Sequence, residues 1–76
     1  VMEDNIINGE TTGCKIRDNV FLMEGSKIEN TTLENTVVFS NSEIRDSEIR
    51  GTIVDSNCEI EDTDLNEALI GEHTSL

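Results

Sequence analysis

Seventy-six residues, only 34% of them apolar, with two Phe and neither Trp nor Tyr, make one domain at most, and a compact globule of this size would be marginal. Seventeen acidic residues against five basic give a net charge of −12, which argues against nucleic acid and anionic membrane as partners, since both are gripped through Lys and Arg. Low hydrophobicity with high net charge ordinarily signals disorder, so an ordered chain of this composition needs an organising device that composition hides.

The chain opens on Val1-Met2-Glu3-Asp4 and stops at Leu76, and it reads as a segment of a longer protein. It shows no signal peptide and no run of roughly 18 apolar residues, so the expected location is the cytoplasm. Ile6 and Ile7 resemble the later pairs Phe21-Leu22 and Val37-Val38. The stretch NGETTG at residues 8–13 then breaks the register. Residues 1–13 are therefore expected to form a loop or an irregular first coil, and their pairing is left open.

From residue 14 to residue 76 the chain falls into rows of sixteen. Residues 28–43 read IENTTLENTVVFSNSE, residues 44–59 read IRDSEIRGTIVDSNCE and residues 60–75 read IEDTDLNEALIGEHTS, with Leu76 beginning another row. Three columns are aliphatic: Ile28, Ile44, Ile60 and Leu76; Leu33, Ile49 and Leu65; Leu22, Val38, Val54 and Ile70. The steps between columns are five, five and six residues, which helical periodicity of about 3.6 does not produce.

Two residues before each aliphatic stands a side chain that is nearly always small: Ser26, Thr31, Thr36, Ser42, Ser47, Thr52, Cys58, Thr63, Ala68 and Thr74, preceded by Cys14 and Val20. Positions i and i−2 of a strand point to one side, so each short strand sends a large and a small side chain inward. Stacking such coils buries a core that no single coil can bury, and it leaves the charges outside. The corners carry residues that tolerate the left-handed αL conformation: Asp18, Asn30, Asn35, Asp46, Gly51 and Asp62, with Gly25, Asn41, Asn57 and His73 at the six-residue corner. The absence of Pro is consistent, since Pro cannot donate to a ladder between coils.

The segments VFSNSEI, VDSNCEI and IGEHTSL resemble the hexapeptide repeat, and the resemblance covers roughly residues 14–76. It implies an all-β fold: a single-stranded, left-handed parallel β-helix with three short strands and about sixteen residues per coil. More narrowly, with phrases such as NSEIRDSEIRGTIV, the chain resembles the C-terminal β-helix of sugar-1-phosphate nucleotidyltransferases of the glucose-1-phosphate thymidylyltransferase-like kind. A regular left-handed helix of the family uses eighteen residues per coil, and the shorter period is a departure. The resemblance implies a nucleotide-binding α/β domain upstream, with Mg2+ as a candidate cofactor of that parent and no cofactor in this segment. GETTG at residues 9–13 is too short for a phosphate cradle.

No residue is assigned a catalytic, cofactor or metal role. His73, the sole histidine, falls in a corner column and reads as a turn residue in preference to the general base of a hexapeptide acyltransferase. One histidine also rules out a three-histidine metal site within one chain. Cys14 and Cys58 occupy inward positions on different faces nearly three coils apart, beyond the roughly 7 Å reach of a disulfide, and read as packed reduced thiols. Acidic pairs such as Glu61-Asp62 read as solvated corners, with calcium binding as the lesser alternative.

The outward residues differ between faces. One face shows Lys27, Glu43, Glu59 and Ser75, and a second shows Thr32, Glu48 and Asp64. The third shows Phe21, Val37, Ile53 and Leu69, an apolar stripe expected to be an interface with another copy, as a dimer or trimer, or with an upstream catalytic domain. Strand propensity alone predicts similar residues on all three faces. Two rival readings stay open: a fragment of a hexapeptide-repeat acyltransferase, and a purely structural β-helix module.

Overall fold

The computed structural model describes residues 5–76. In chain order the first coil holds β1 (Ile6–Ile7), β2 (Glu10–Thr12) and β3 (Lys15–Ile16). The second holds β4 (Val20–Leu22), β5 (Lys27–Glu29) and β6 (Thr32–Glu34). The third holds β7 (Thr36–Val38), β8 (Glu43–Arg45) and β9 (Glu48–Arg50), and the fourth β10 (Ile53–Val54), β11 (Glu59–Glu61) and β12 (Asp64–Asn66), followed by β13 (Leu69–Ile70). Every pairing is parallel and joins a strand to the one three places on, so the chain winds into a three-walled solenoid. Its walls are β1-β4-β7-β10-β13, β2-β5-β8-β11 and β3-β6-β9-β12.

The aliphatic columns stack as the spacing requires. Ile28 pairs with Ile44 and Ile44 with Ile60, while Leu33 pairs with Ile49 and Ile49 with Leu65. Leu22, Val38, Val54 and Ile70 form the third column. From Leu22 to Ile60 these side chains are at most 2% exposed. Inward Ser26, Thr31, Thr36, Ser42, Ser47 and Thr52 are buried beside them.

Burying a hydroxyl without a partner would cost about 1–3 kcal/mol. Each therefore serves the corner beside it. Thr31 Oγ1 donates to the Glu29 carbonyl, Thr36 to Glu34, Ser47 to Arg45 and Thr52 to Arg50, at 2.7 to 2.8 Å. Among the described residues, no buried side-chain nitrogen or oxygen lacks a partner.

The corners hold the αL residues. Asn30, Asn35, Asn41, Asp46, Asn57, Asp62 and His73 have φ between 49° and 65°, as do Gly13 and Gly51, and Gly25 stands at 85°. One corner differs from the expectation. Its αL residue is Asn19, with φ 63°, and not Asp18. The reason is one added residue: Ile16 pairs with Leu33, seventeen positions on, while Val20 pairs with Thr36, sixteen on. The longer corner is secured by Asn35 N–H to the Asp18 carbonyl at 2.9 Å and Thr36 N–H to the Asn19 carbonyl at 3.1 Å. Glu67, with φ 53°, completes the same corner column, although its residue type gives no such signal.

Residues 5–13 join the same walls. Ile6 and Ile7 pair with Phe21 and Leu22, and Thr11 pairs with Ile28 in the position the aliphatic column reserves for a branched apolar residue. Gly9 lies inward against Ser26, where an added Cβ would collide with the Ser26 side chain and carbonyl. The opening residues 1–4 lie outside the described residues.

Candidate functional site

Two walls present charge ladders. On one, Lys27, Glu43 and Glu59 form a column and Glu29, Arg45 and Glu61 form the next. On the other, Thr32, Glu48 and Asp64 stand beside Glu34, Arg50 and Asn66. Arg45 lies 3.5 Å from Glu61 and 3.8 Å from Glu43, and Arg50 lies 3.7 Å from Glu48 and 3.8 Å from Glu34. Both arginines are about half exposed, so each pair is worth roughly 0–1 kcal/mol. Charge alternation at the coil period was the available sequence signal for these pairs. An open depression of about 210 Å3 lies among Lys27, Glu29, Glu43 and Arg45, with two cations and two carboxylates for its lining.

The two thiols are committed to backbone carbonyls. Cys14 Sγ lies 3.2 Å from the Ile28 carbonyl and Cys58 Sγ 3.1 Å from the Gly71 carbonyl, and both thiols are free. His73 is exposed at its αL corner, with Nε2 3.5 Å from a Glu72 carboxylate oxygen. No grouping of three or more metal-ligating side chains occurs among the described residues. No helix of the described residues is long and apolar enough to cross a membrane.

The wall built on β1, β4, β7, β10 and β13 has a different surface. Phe21, Val37, Ile53 and Leu69 pair in succession, so the four residues singled out from the sequence stand in one column along the outside. Their inward neighbours Leu22, Val38 and Val54 are buried, which fixes the outward direction of the column. Ile53 is 43% exposed and Leu69 76% exposed, while Phe21 and Val37 are half-buried.

The structure adds Ile6, 53% exposed, which pairs with Phe21 and lengthens the stripe to five residues. The irregular spacing of the first coil conceals that membership from a fixed-period reading. Half-buried Met23 and Phe39 directly follow the inward Leu22 and Val38, so both phenylalanines of the chain belong to this wall. No protein-family model, no curated protein and no solved structure matches the chain.

Proposed function

We propose that this chain is a non-catalytic docking module, a β-helix whose apolar wall binds another copy or an adjoining domain. The observation that carries the reading is the column Ile6, Phe21, Val37, Ile53 and Leu69, set on a chain of net charge −12 whose other two walls are ladders of charged and polar residues. Isolated exposed apolar residues are ordinary, but a contiguous row of them on one wall is the usual mark of an interface. The three-stranded coil and its small inward residues are compatible with the hexapeptide-repeat resemblance. On that resemblance the winding is left-handed and the parent is a sugar-1-phosphate nucleotidyltransferase of nucleotide-sugar synthesis, with its catalytic domain upstream.

Two experiments test this. The Phe21→Ser/Ile53→Asp double variant is expected to retain the β-rich circular dichroism of the parent while losing its assembly state in sedimentation. An unchanged mass in a chain that does assemble removes the stripe as the interface. The full-length sequence tests the parent separately, because a chain with no α/β domain ahead of the coils is incompatible with it.

A further inference from the structure

Along most of the solenoid a corner asparagine in the αL conformation precedes a buried inward side chain: Asn19 precedes Val20, Asn30 Thr31, Asn35 Thr36, Asn41 Ser42 and Asn57 Cys58. Asn8 breaks the pattern. It is exposed, it does not share the αL conformation, and its inward successor is Gly9. Packing demands that glycine, because an added Cβ would overlap Ser26 Oγ and stand 2.8 Å from the Ser26 carbonyl oxygen.

The corner is also short. Asn8 and Gly9 alone join β1 to β2, where Met23, Glu24, Gly25 and Ser26 join β4 to β5 in the next coil. Both ends of the short corner are pinned to that coil, by Asn8 N–H to the Leu22 carbonyl and Glu10 N–H to the Ser26 carbonyl, each at 2.9 Å. The Gly9 N–H between them donates to no backbone carbonyl of the described residues. Elsewhere the amide that follows an asparagine is engaged. Val20 N–H donates to Asn5 Oδ1 at 2.8 Å, Thr36 N–H to the Asn19 carbonyl at 3.1 Å and Cys58 N–H to Ser42 Oγ at 3.2 Å.

We propose that Asn8 is a site of spontaneous modification, the first asparagine of the chain to deamidate, by attack of the Gly9 amide, and that the isoaspartyl product unlatches the first coil. Water is the only co-reactant. The Gly9 nitrogen gives its proton to hydroxide and bonds to Asn8 Cγ. The Cγ–Nδ2 bond breaks, and the side-chain amide takes a proton from water and leaves as ammonia. Water then opens the succinimide ring. Breaking its Cγ–N bond leaves an aspartyl residue at position 8. Breaking the bond between the Asn8 main-chain carbonyl carbon and the Gly9 nitrogen leaves an isoaspartyl residue, with the backbone rerouted through Cγ. This chemistry is independent of what the apolar wall binds.

Steric access decides which asparagine reacts. Glycine has no Cβ to crowd the attacking nitrogen, whereas Val20, Thr31 and Thr36 are β-branched and locked in the core. The first coil also stands at the end of all three walls, where local opening is easiest. The product then acts mechanically. It adds one methylene to a corner pinned at both ends, so the Asn8 and Glu10 hydrogen bonds to the second coil cannot both keep their geometry. Ile6 and Ile7, just ahead of the corner, pair with Phe21 and Leu22, and their release uncovers Leu22, which is otherwise fully buried.

Ageing the chain in mildly alkaline buffer, with peptide mapping and ammonia release as readouts, tests the site. Asn8 is expected to convert roughly tenfold or more faster than any other asparagine. Asn8→Gln, whose longer side chain closes no succinimide, is expected to remove the fast phase of ammonia release. Conversion at Asn41 or Asn57 that matches Asn8 overturns the assignment. So does a folded chain that keeps Asn8 intact while the urea-unfolded chain converts.

The unlatching has its own measurement. Both products add one negative charge, but only the isoaspartyl form lengthens the backbone. Hydrogen exchange over residues 6–10 is expected to run roughly tenfold faster in the purified isoaspartyl form, the loss of about one hydrogen bond, while Asn8→Asp matches the parent. Equal exchange in the isoaspartyl form and Asn8→Asp overturns the unlatching and leaves the modification site standing.

Discussion

The N–H of Cys58 donates to Ser42 Oγ at 3.2 Å, one coil away, and the same hydroxyl donates onward to the Asp55 carbonyl at 2.7 Å. Ser42 therefore joins an amide of one coil to a carbonyl of the preceding corner, both outside the strand ladders. On another wall Ser47 Oγ likewise accepts from an amide one coil away, Thr63 N–H at 3.1 Å, but donates within its own coil to the Arg45 carbonyl. The small inward columns are thus more than space savers: at the corners, where strand pairing ends, their hydroxyls take over the hydrogen bonding.

Ser42→Ala is expected to destabilise the chain by roughly 1–3 kcal/mol, because it strands a buried amide and removes a donor from the Asp55 carbonyl. Ser42→Cys should cost less, since a thiol already fills the column at Cys58. Urea titration followed by circular dichroism measures both, and equal losses from the two variants would contradict the hydrogen-bonding role.

Glu67 is the misfit of the corner column that also holds Asn19, Asn35 and Gly51, since a longer side chain stands at φ 53° there. The αL conformation costs most L-residues about 1–2 kcal/mol, and Asn or Gly less. Glu67→Asn is expected to raise stability by up to about 1 kcal/mol, seen as a higher melting temperature. The converse change, Gly51→Ala, places a Cβ 3.4 Å from Glu67 Cγ at φ 57° and should lower it.

Inward and outward aliphatics of neighbouring walls should behave oppositely. Ile44 is 0% exposed between Ile28 and Ile60, so Ile44→Ala is expected to cost about 2–5 kcal/mol through lost burial and a cavity. Ile53→Ser, on the outside, should cost under about 1 kcal/mol in dilute chain and act mainly on assembly. Denaturation at low and high protein concentration separates the two effects.

Like charges stack where the acidic end begins: Glu59 pairs with Glu43, and Asp64 with Glu48. Glu59→Lys replaces repulsion with attraction across adjacent strands and is expected to stabilise by about 0.2–1 kcal/mol. The gain should shrink in about 1 M salt, where the screening length is about 3 Å. A gain that persists undiminished at high salt would point to packing instead of charge.

The sequence by itself determined the coil. Stacked turns of constant length must return matching side chains at a constant spacing, so Ile28, Ile44 and Ile60, the small residues before them and the outward stripe are all legible at sixteen. Where the length of a turn changes, that logic fails. Only the tertiary structure decided that Asn19 turns the corner beside Asp18, that Thr11 fills an aliphatic column and that Ile6 extends the stripe, because inserted or missing corner residues are absorbed by spatial pairing with the next coil. The same holds for Glu67, whose αL backbone is imposed by its place in the stack against its own preference.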